Sequence, residues 1–183
     1  VPNGEGGMIA VLGSELEVIE DIIDKKKNDF KCFVANDNSN AQIVLSGTTS
    51  NIEKISEYLN SIKIKNIKLP VSAPFHCELM RAATEIMRNE LAKISFKEFQ
   101  TSLISNVTAQ EISDKLLIQD LLIRQIESRV RWRESINHMI KKGVDNFIEI
   151  GPGKILSGLV KRIDKKVKVS AINNEEDINK IAI

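Results

Sequence analysis

Met8-Ile9-Ala10-Val11-Leu12-Gly13-Ser14-Glu15-Leu16-Glu17 begins the stretch from which the architecture can be read. Five apolar residues in a row suit a buried strand that stops at Gly13. Ser14 with Glu17 three positions on is the pattern of a capping box, so a helix is expected to start there. Leu16, Ile19, Ile22 and Ile23 recur at helical spacing, and Lys25-Lys26-Lys27 closes the last turn, where positive charge suits the helix dipole. Two further strand candidates, 32–35 and 42–45, flank the turn-rich Asn36-Asp37-Asn38-Ser39-Asn40. Ser50 with Glu53 forms a second capping box before a helix lined by Ile52, Ile55, Leu59 and Ile62, and residues 64–69 make a strand that ends at Pro70. The order βαββαβ is the split βαβ, or ferredoxin-like, arrangement. Lys63, Lys65 and Lys68 alternate with apolar residues and read as a solvated strand face.

Beyond Pro70 longer helices alternate with isolated strands, the pattern of an α/β layer structure. Leu79, Met80, Ala83, Ile86, Met87, Leu91 and Ile94 mark a long amphipathic helix. Residues 101–107 are strand-like, while 121–126 and 132–140 belong to helices. Phe147, Ile148 and Ile150 form a strand running into Gly151-Pro152-Gly153-Lys154, followed by a helix through Ile163 and a last strand over 167–171. The expected class is therefore α/β (α+β), with a ferredoxin-like subdomain over 1–70 and an α/β portion over 71–183.

Composition narrows the function classes. The 183 residues carry 26 Lys+Arg against 25 Asp+Glu, a net charge of +1, so bulk electrostatics gives no case for nucleic acid or an anionic membrane. No apolar run approaches the roughly 18 residues of a membrane span, and no secretion signal opens the sequence. Two cysteines, Cys32 and Cys77, stand without a CxxC or a zinc-type His cluster, which fits a reducing cytoplasm and no metal site.

Chemistry concentrates at Pro70-Val71-Ser72-Ala73-Pro74-Phe75-His76-Cys77. This segment places His76 at the end of a proline-bounded extended stretch, immediately before a long helix. Such junctions expose functional side chains in α/β proteins. A general base needs an imidazole with one nitrogen free and the other held by an acceptor; the competing reading is a histidine that merely plugs the junction. No GxSxG nucleophile elbow occurs in the sequence, and Cys77, adjacent to His76, is poorly placed to meet it. The Gly151-Lys154 turn lacks P-loop spacing and reads as a tight strand-to-helix turn rather than a phosphate cradle. His138, within a helical stretch, reads as an ordinary histidine.

Several segments together resemble the malonyl-CoA:acyl carrier protein transacylases of bacterial-type fatty acid synthesis. They are the stretches 1–8 (VPNGEGGM), 42–47 (QIVLSG), 69–80 (LPVSAPFHCELM), 105–108 (SNVT), 130–132 (VRW) and 148–159 (IEIGPGKILSGL). The resemblance implies the C-terminal part of an α/β-hydrolase-like domain, preceded by its ferredoxin-like insertion. The remaining part of the family's length would hold the serine elbow, an oxyanion-hole glutamine and an arginine for the malonyl carboxylate. Carried over, His76 would be the base, and the backbone carbonyl of Gln125 would orient it. Asn106 and Asn38, with Asn36 and Asp37, would border the cleft, and Phe75 would narrow the acyl pocket. Arg129 stands where many relatives have proline.

The implied chemistry is ping-pong acyl transfer by a Ser-His pair, from malonyl-CoA to the phosphopantetheine thiol of acyl carrier protein, without metal or redox cofactor. The full-length protein is expected to be a cytoplasmic monomer. The acyl carrier protein of this pathway is acidic, and Lys161, Arg162, Lys165, Lys166 and Lys168 are a candidate patch for it, with a solvated helix end as the alternative. Lacking the serine, the chain alone is expected to be inactive. The competing reading is a noncatalytic fragment that binds acyl carrier protein, and a weaker one is transfer of another acyl group, against which Phe75 argues. A sheet separated from its neighbouring strands is expected to expose an edge and an apolar face, and hence to self-associate.

Overall fold

A computed structural model describes residues 4–180. Val1, Pro2 and Asn3, the start of the first stretch quoted for the resemblance, lie outside the described residues. Two compact units emerge, Val1–Ser135 and Ile136–Ile183.

The first unit opens with β1 (Gly6–Leu12), α1 (Leu16–Lys25), β2 (Cys32–Ser39), β3 (Gln42–Thr48), α2 (Thr49–Ser61) and β4 (Asn66–Lys68). The strands form one antiparallel sheet in the order β2-β3-β1-β4. That is the order expected of βαββαβ, with β3 inserted between β1 and β2. Ile9, Val11, Ile43 and Leu45 pack beneath Leu16, Ile19, Ile52, Ile55 and Leu59 of the two helices. Met8, Ala10, Ala35 and Val44 are buried on the opposite face, where Leu69 and Val71 cover them. Burial on both faces explains why β1 is continuously apolar rather than alternating. Each fully buried Ile or Leu contributes about 1.5–3 kcal/mol. Gly6 is required by crowding, because a Cβ there would lie 2.2 Å from Pro74 Cδ.

Three local expectations change. The Ser14–Glu17 box does not form: α1 is preceded by Glu15, whose side chain makes no cap bond. α2 begins earlier than Ser50, because Thr48 at the end of β3 already supplies the cap and accepts the Asn51 N–H at 3.3 Å. The Asn36–Asn40 stretch is not all turn. β2 continues through it to Ser39, with register shifts between Val34 and Asn36 and between Asp37 and Ser39. These irregularities accommodate turn-forming residues in a strand.

After Pro74 a 3-10 turn over Glu78–Met80 leads into α3 (Arg81–Leu91). The two-residue strands β5 (Leu103–Ile104) and β6 (Glu111–Ile112) then pair, and a short 3-10 turn precedes α4 (Ile118–Glu127), which packs on α3. Val107, Ile112 and Leu121 close a second small core with Phe99. α5 (Trp132–Lys141) starts in this unit and continues into the next.

In the second unit, β7 (Asn146–Ile150) and β8 (Lys168–Ile172) run parallel, joined through α6 (Ile155–Ile163), and α7 (Glu175–Lys180) follows. Ile150 is 80% exposed and Ile155 76% exposed, so this layer presents apolar side chains on its surface.

Candidate functional site

The imidazole of His76 is fixed by the end of a helix. Gln125 lies in the last turn of α4, where backbone carbonyls have no partner within the helix, and its carbonyl oxygen is 3.0 Å from His76 Nδ1. A carbonyl only accepts, so Nδ1 carries the hydrogen. In the neutral ring, Nε2 is then left with its lone pair.

The local backbone delivers His76 in an uncommon conformation. Its φ is 61°, in the left-handed region, where a non-glycine residue persists only if its surroundings hold it. Cys77 is buried beside it, donating from Sγ to the Pro74 carbonyl at 3.1 Å, and the Cys77 carbonyl accepts from Met80 N–H at 2.9 Å. An ion pair between Lys31 and Glu78 ties the same turn to the start of β2.

His76 lines an open cavity of about 710 Å³. Ile23, Cys32, Phe33, Val34, Cys77 and Val107 give it an apolar part, and charged side chains of α1, of α4 and of the segments that follow these two helices line the remainder. Neither thiol is suited to be a nucleophile. Burial pushes Cys32 up to about 12 and also raises Cys77, so both stay protonated at neutral pH.

The segment after α4 carries a set of interactions that sequence reading missed. Gln125 Nε2 donates to the Ser128 carbonyl at 3.1 Å. Val130 then joins the edge of β2, donating to the Ala35 carbonyl at 2.8 Å and accepting from Asp37 N–H at 2.9 Å. Arg129 Nη1 bonds Glu20 of α1 at 2.6 Å. Arg131 pairs with Glu134, holding that carboxyl below its usual range, and donates to the Thr108 carbonyl at 3.2 Å. Arg133 Nε reaches both carboxylate oxygens of Asp37, at 2.9 and 3.0 Å. Asp37 is wholly buried, and burial raises its pKa despite the guanidinium. The alternation Arg129-Val130-Arg131-Trp132-Arg133 was the available signal, but nothing local in the sequence names the partners.

Other residues singled out from the sequence are placed as follows. Asn106 accepts from Arg131 N–H at 3.0 Å through its backbone and, with Gln125, lines a separate recess of about 160 Å³. Asn38 is half-buried in β2, and Phe75 is 42% exposed. None of the three lines the cavity that His76 lines. At the Gly151–Lys154 turn, the backbone N–H groups of Leu156 and Ser157 at the start of α6 donate to Glu149, at 3.2 and 2.7 Å. An internal carboxylate thus occupies the site where an anion would bind, and the tight-turn reading stands. Among the described residues, no group of three or more His, Cys, Asp or Glu could hold a metal ion. No helix there is long and apolar enough to cross a membrane.

The acyl transferase domain family matches residues 2–178. The malonyl CoA-acyl carrier protein transacylase of Bacillus subtilis (strain 168) is 43% identical over 180 residues, covering 97% of this chain and 57% of the relative. The crystal structure of malonyl CoA-acyl carrier protein transacylase from Clostridium perfringens superposes with a TM-score of 0.93 at 41% identity, covering 98% of this chain and 57% of that one. A malonyl-transacylase in complex with a type II PKS acyl-carrier protein is 30% identical with a TM-score of 0.92, covering 98% and 59%. The chain thus spans little more than half the length of these relatives and corresponds to their C-terminal part. Because the match runs through nearly all of its 183 residues, the chain belongs to the acyl transferase domain family.

Proposed function

We propose that this chain supplies the general base of an acyltransferase that moves malonyl from malonyl-CoA to the phosphopantetheine thiol of acyl carrier protein in fatty acid synthesis. The observation that carries the reading is the His76 Nδ1–H bond to the Gln125 carbonyl, beside an open cavity. A carbonyl in place of a carboxylate still fixes the tautomer, which is what a base working through Nε2 needs.

The steps balance around that nitrogen. Nε2 takes the proton of a serine hydroxyl as its oxygen attacks the thioester carbon; the C–S bond breaks, and the imidazolium returns the proton to the coenzyme A thiolate. In the second half Nε2 deprotonates the incoming phosphopantetheine thiol, sulfur attacks the ester carbon of the malonyl-serine, the bond from that carbon to the serine oxygen breaks, and the imidazolium returns the proton to that oxygen. The serine belongs to a GxSxG segment of the kind absent from these 183 residues. No redox step arises, so we read the reaction as requiring no metal or redox cofactor. The whole enzyme is read as a cytoplasmic monomer, with residues 1–70 of this chain forming a ferredoxin-like subdomain. Phe75 is read as narrowing the acyl pocket, and Asn38 and Asn106 as bordering the completed cleft.

The test is malonyl transfer to holo acyl carrier protein by the chain alone, by the chain with the upstream portion of a relative, and by that mixture carrying His76→Ala. Transfer is expected only in the wild-type mixture, with His76→Ala lowering the rate by about 10²–10⁴-fold. A folded wild-type mixture that binds acyl carrier protein without transfer would favour the noncatalytic binding reading, for which the missing serine elbow is the supporting feature. Turnover by the chain alone would mean that the nucleophile lies within it.

A further inference from the structure

Arg129 and Arg131 lie in the segment that connects α4 to α5 and Arg133 in the first turn of α5, and two of the three reach carboxylates far away in sequence. The Arg129–Glu20 and Arg133–Asp37 pairs span 109 and 96 residues. Between them, both backbone groups of Val130 are bonded to β2. Asp37 grips this segment twice, through its backbone N–H to Val130 and through its carboxylate to Arg133. Immediately upstream, Gln125 Nε2 closes on the Ser128 carbonyl, and the Gln125 carbonyl holds His76. The position of that carbonyl therefore depends on where residues 128–133 are fixed.

We propose that Arg129 and Arg133 are positioning residues, which clamp the α4–α5 junction to α1 and β2 and so set the Gln125 carbonyl at bonding distance from His76. The proposal deepens the reading of His76 as the base and rests on it. Its physical content is that an orphan carbonyl at a helix end is only as well placed as the chain leaving that helix. The two pairs divide the work differently. Arg133–Asp37 is the inner anchor, with the Asp37 side chain 1% exposed, while Arg129–Glu20 is partly solvated, at 28% and 48%. Loss of the inner pair leaves a buried carboxylate uncompensated, so Arg133→Met should disturb the junction more than Arg129→Met.

The experiment reads the His76 tautomer directly, by long-range ¹H–¹⁵N correlation on the labelled chain at alkaline pH, where imidazoles are neutral. The sequence holds only two histidines, so the signals are few. The variants are Arg129→Met, Arg133→Met and the charge exchange Glu20→Arg/Arg129→Glu. Lys25→Met, which removes the exposed Lys25–Asp21 pair of α1, is the matched control. In folded protein, Lys25→Met should keep the wild-type Nδ1–H signal. Arg129→Met and Arg133→Met should raise the Nε2–H share several-fold, and the charge exchange should return it toward wild type. Folded Arg129→Met with an unchanged His76 signal would overturn the proposal. So would a charge exchange that fails to restore it, and these two arms decide the matter if Arg133→Met unfolds. A wild-type chain without the Nδ1–H tautomer would instead overturn the reading of His76, and the clamp would fall with it.

Discussion

At His76 the chain accepts a backbone conformation that costs of order 1–3 kcal/mol for a residue with a Cβ, and it does so next to a buried cysteine. The turn is held from three sides: Gln125 on the imidazole, Pro74 on the Cys77 thiol, and Glu78 on Lys31. The two thiols lining the cavity are kept protonated by burial. Under native conditions at pH 7–8, Cys32 and Cys77 should therefore react with iodoacetamide far more slowly than a free thiol, on the order of 10-fold or more below one of ordinary pKa near 8.5. Both should label fully once the chain is denatured. Fast native labelling of Cys77, followed by mass spectrometry, would show a thiolate in the cavity and return Cys77 to contention as a nucleophile. At this scale the sequence disclosed His76 through its proline-bounded setting, while Gln125 was legible only through resemblance to a family. The bond uses a main-chain oxygen, and no side-chain pattern announces one. Asp37 was named only as bordering the cleft, and its anchoring role was hidden for another reason: within Asn36–Asn40 an aspartate reads as turn chemistry, and its buried role depends on a guanidinium 96 residues away.

Among the elements, β1, α1, β3, α2 and α6 follow from apolar spacing, because each buries a regular set of residues against a neighbour. β5 and β6 were less legible, since strands of two residues carry no period. α7 has six residues and none buried, so it leaves no apolar stripe to read. The start of α6 shows how an element and its loop are fixed together. Glu149 at the end of β7 turns its carboxylate onto the N–H groups of Leu156 and Ser157, and the Ser157 side chain, followed by these backbone hydrogen bonds, holds its pKa below the ordinary 4.5. A carboxyl lowered in the folded state stabilises it above its unfolded value, and that contribution is lost as pH falls through the folded one. Glu149→Gln should therefore lower the thermal midpoint by a few degrees at pH 7, with the gap to wild type closing as pH is taken below 4.5. A gap that persists undiminished in acid would mean that the charge on Glu149 does not hold this turn.

Across the whole molecule, the α/β class and the βαββαβ half were legible because its helices carry apolar residues at helical spacing and its strands are short apolar runs bounded by turn-forming residues. The functional site was less so, because its parts come from segments remote in sequence: α1, β2, the Pro74–Cys77 turn, and the chain following α4. Composition could exclude a strongly basic nucleic-acid binder, yet it could not show that arginines would gather beside one histidine. The joining of those segments converges on one bond between residues 49 apart, and the functional reading depends on it. The most direct measurement is the protonation state of the two His76 ring nitrogens in the folded wild-type chain, by ¹⁵N-resolved NMR at alkaline pH. A single dominant tautomer with hydrogen on Nδ1 and a bare Nε2 is the predicted result. Hydrogen on Nε2, or an even mixture of the two tautomers, would contradict a base held by the Gln125 carbonyl.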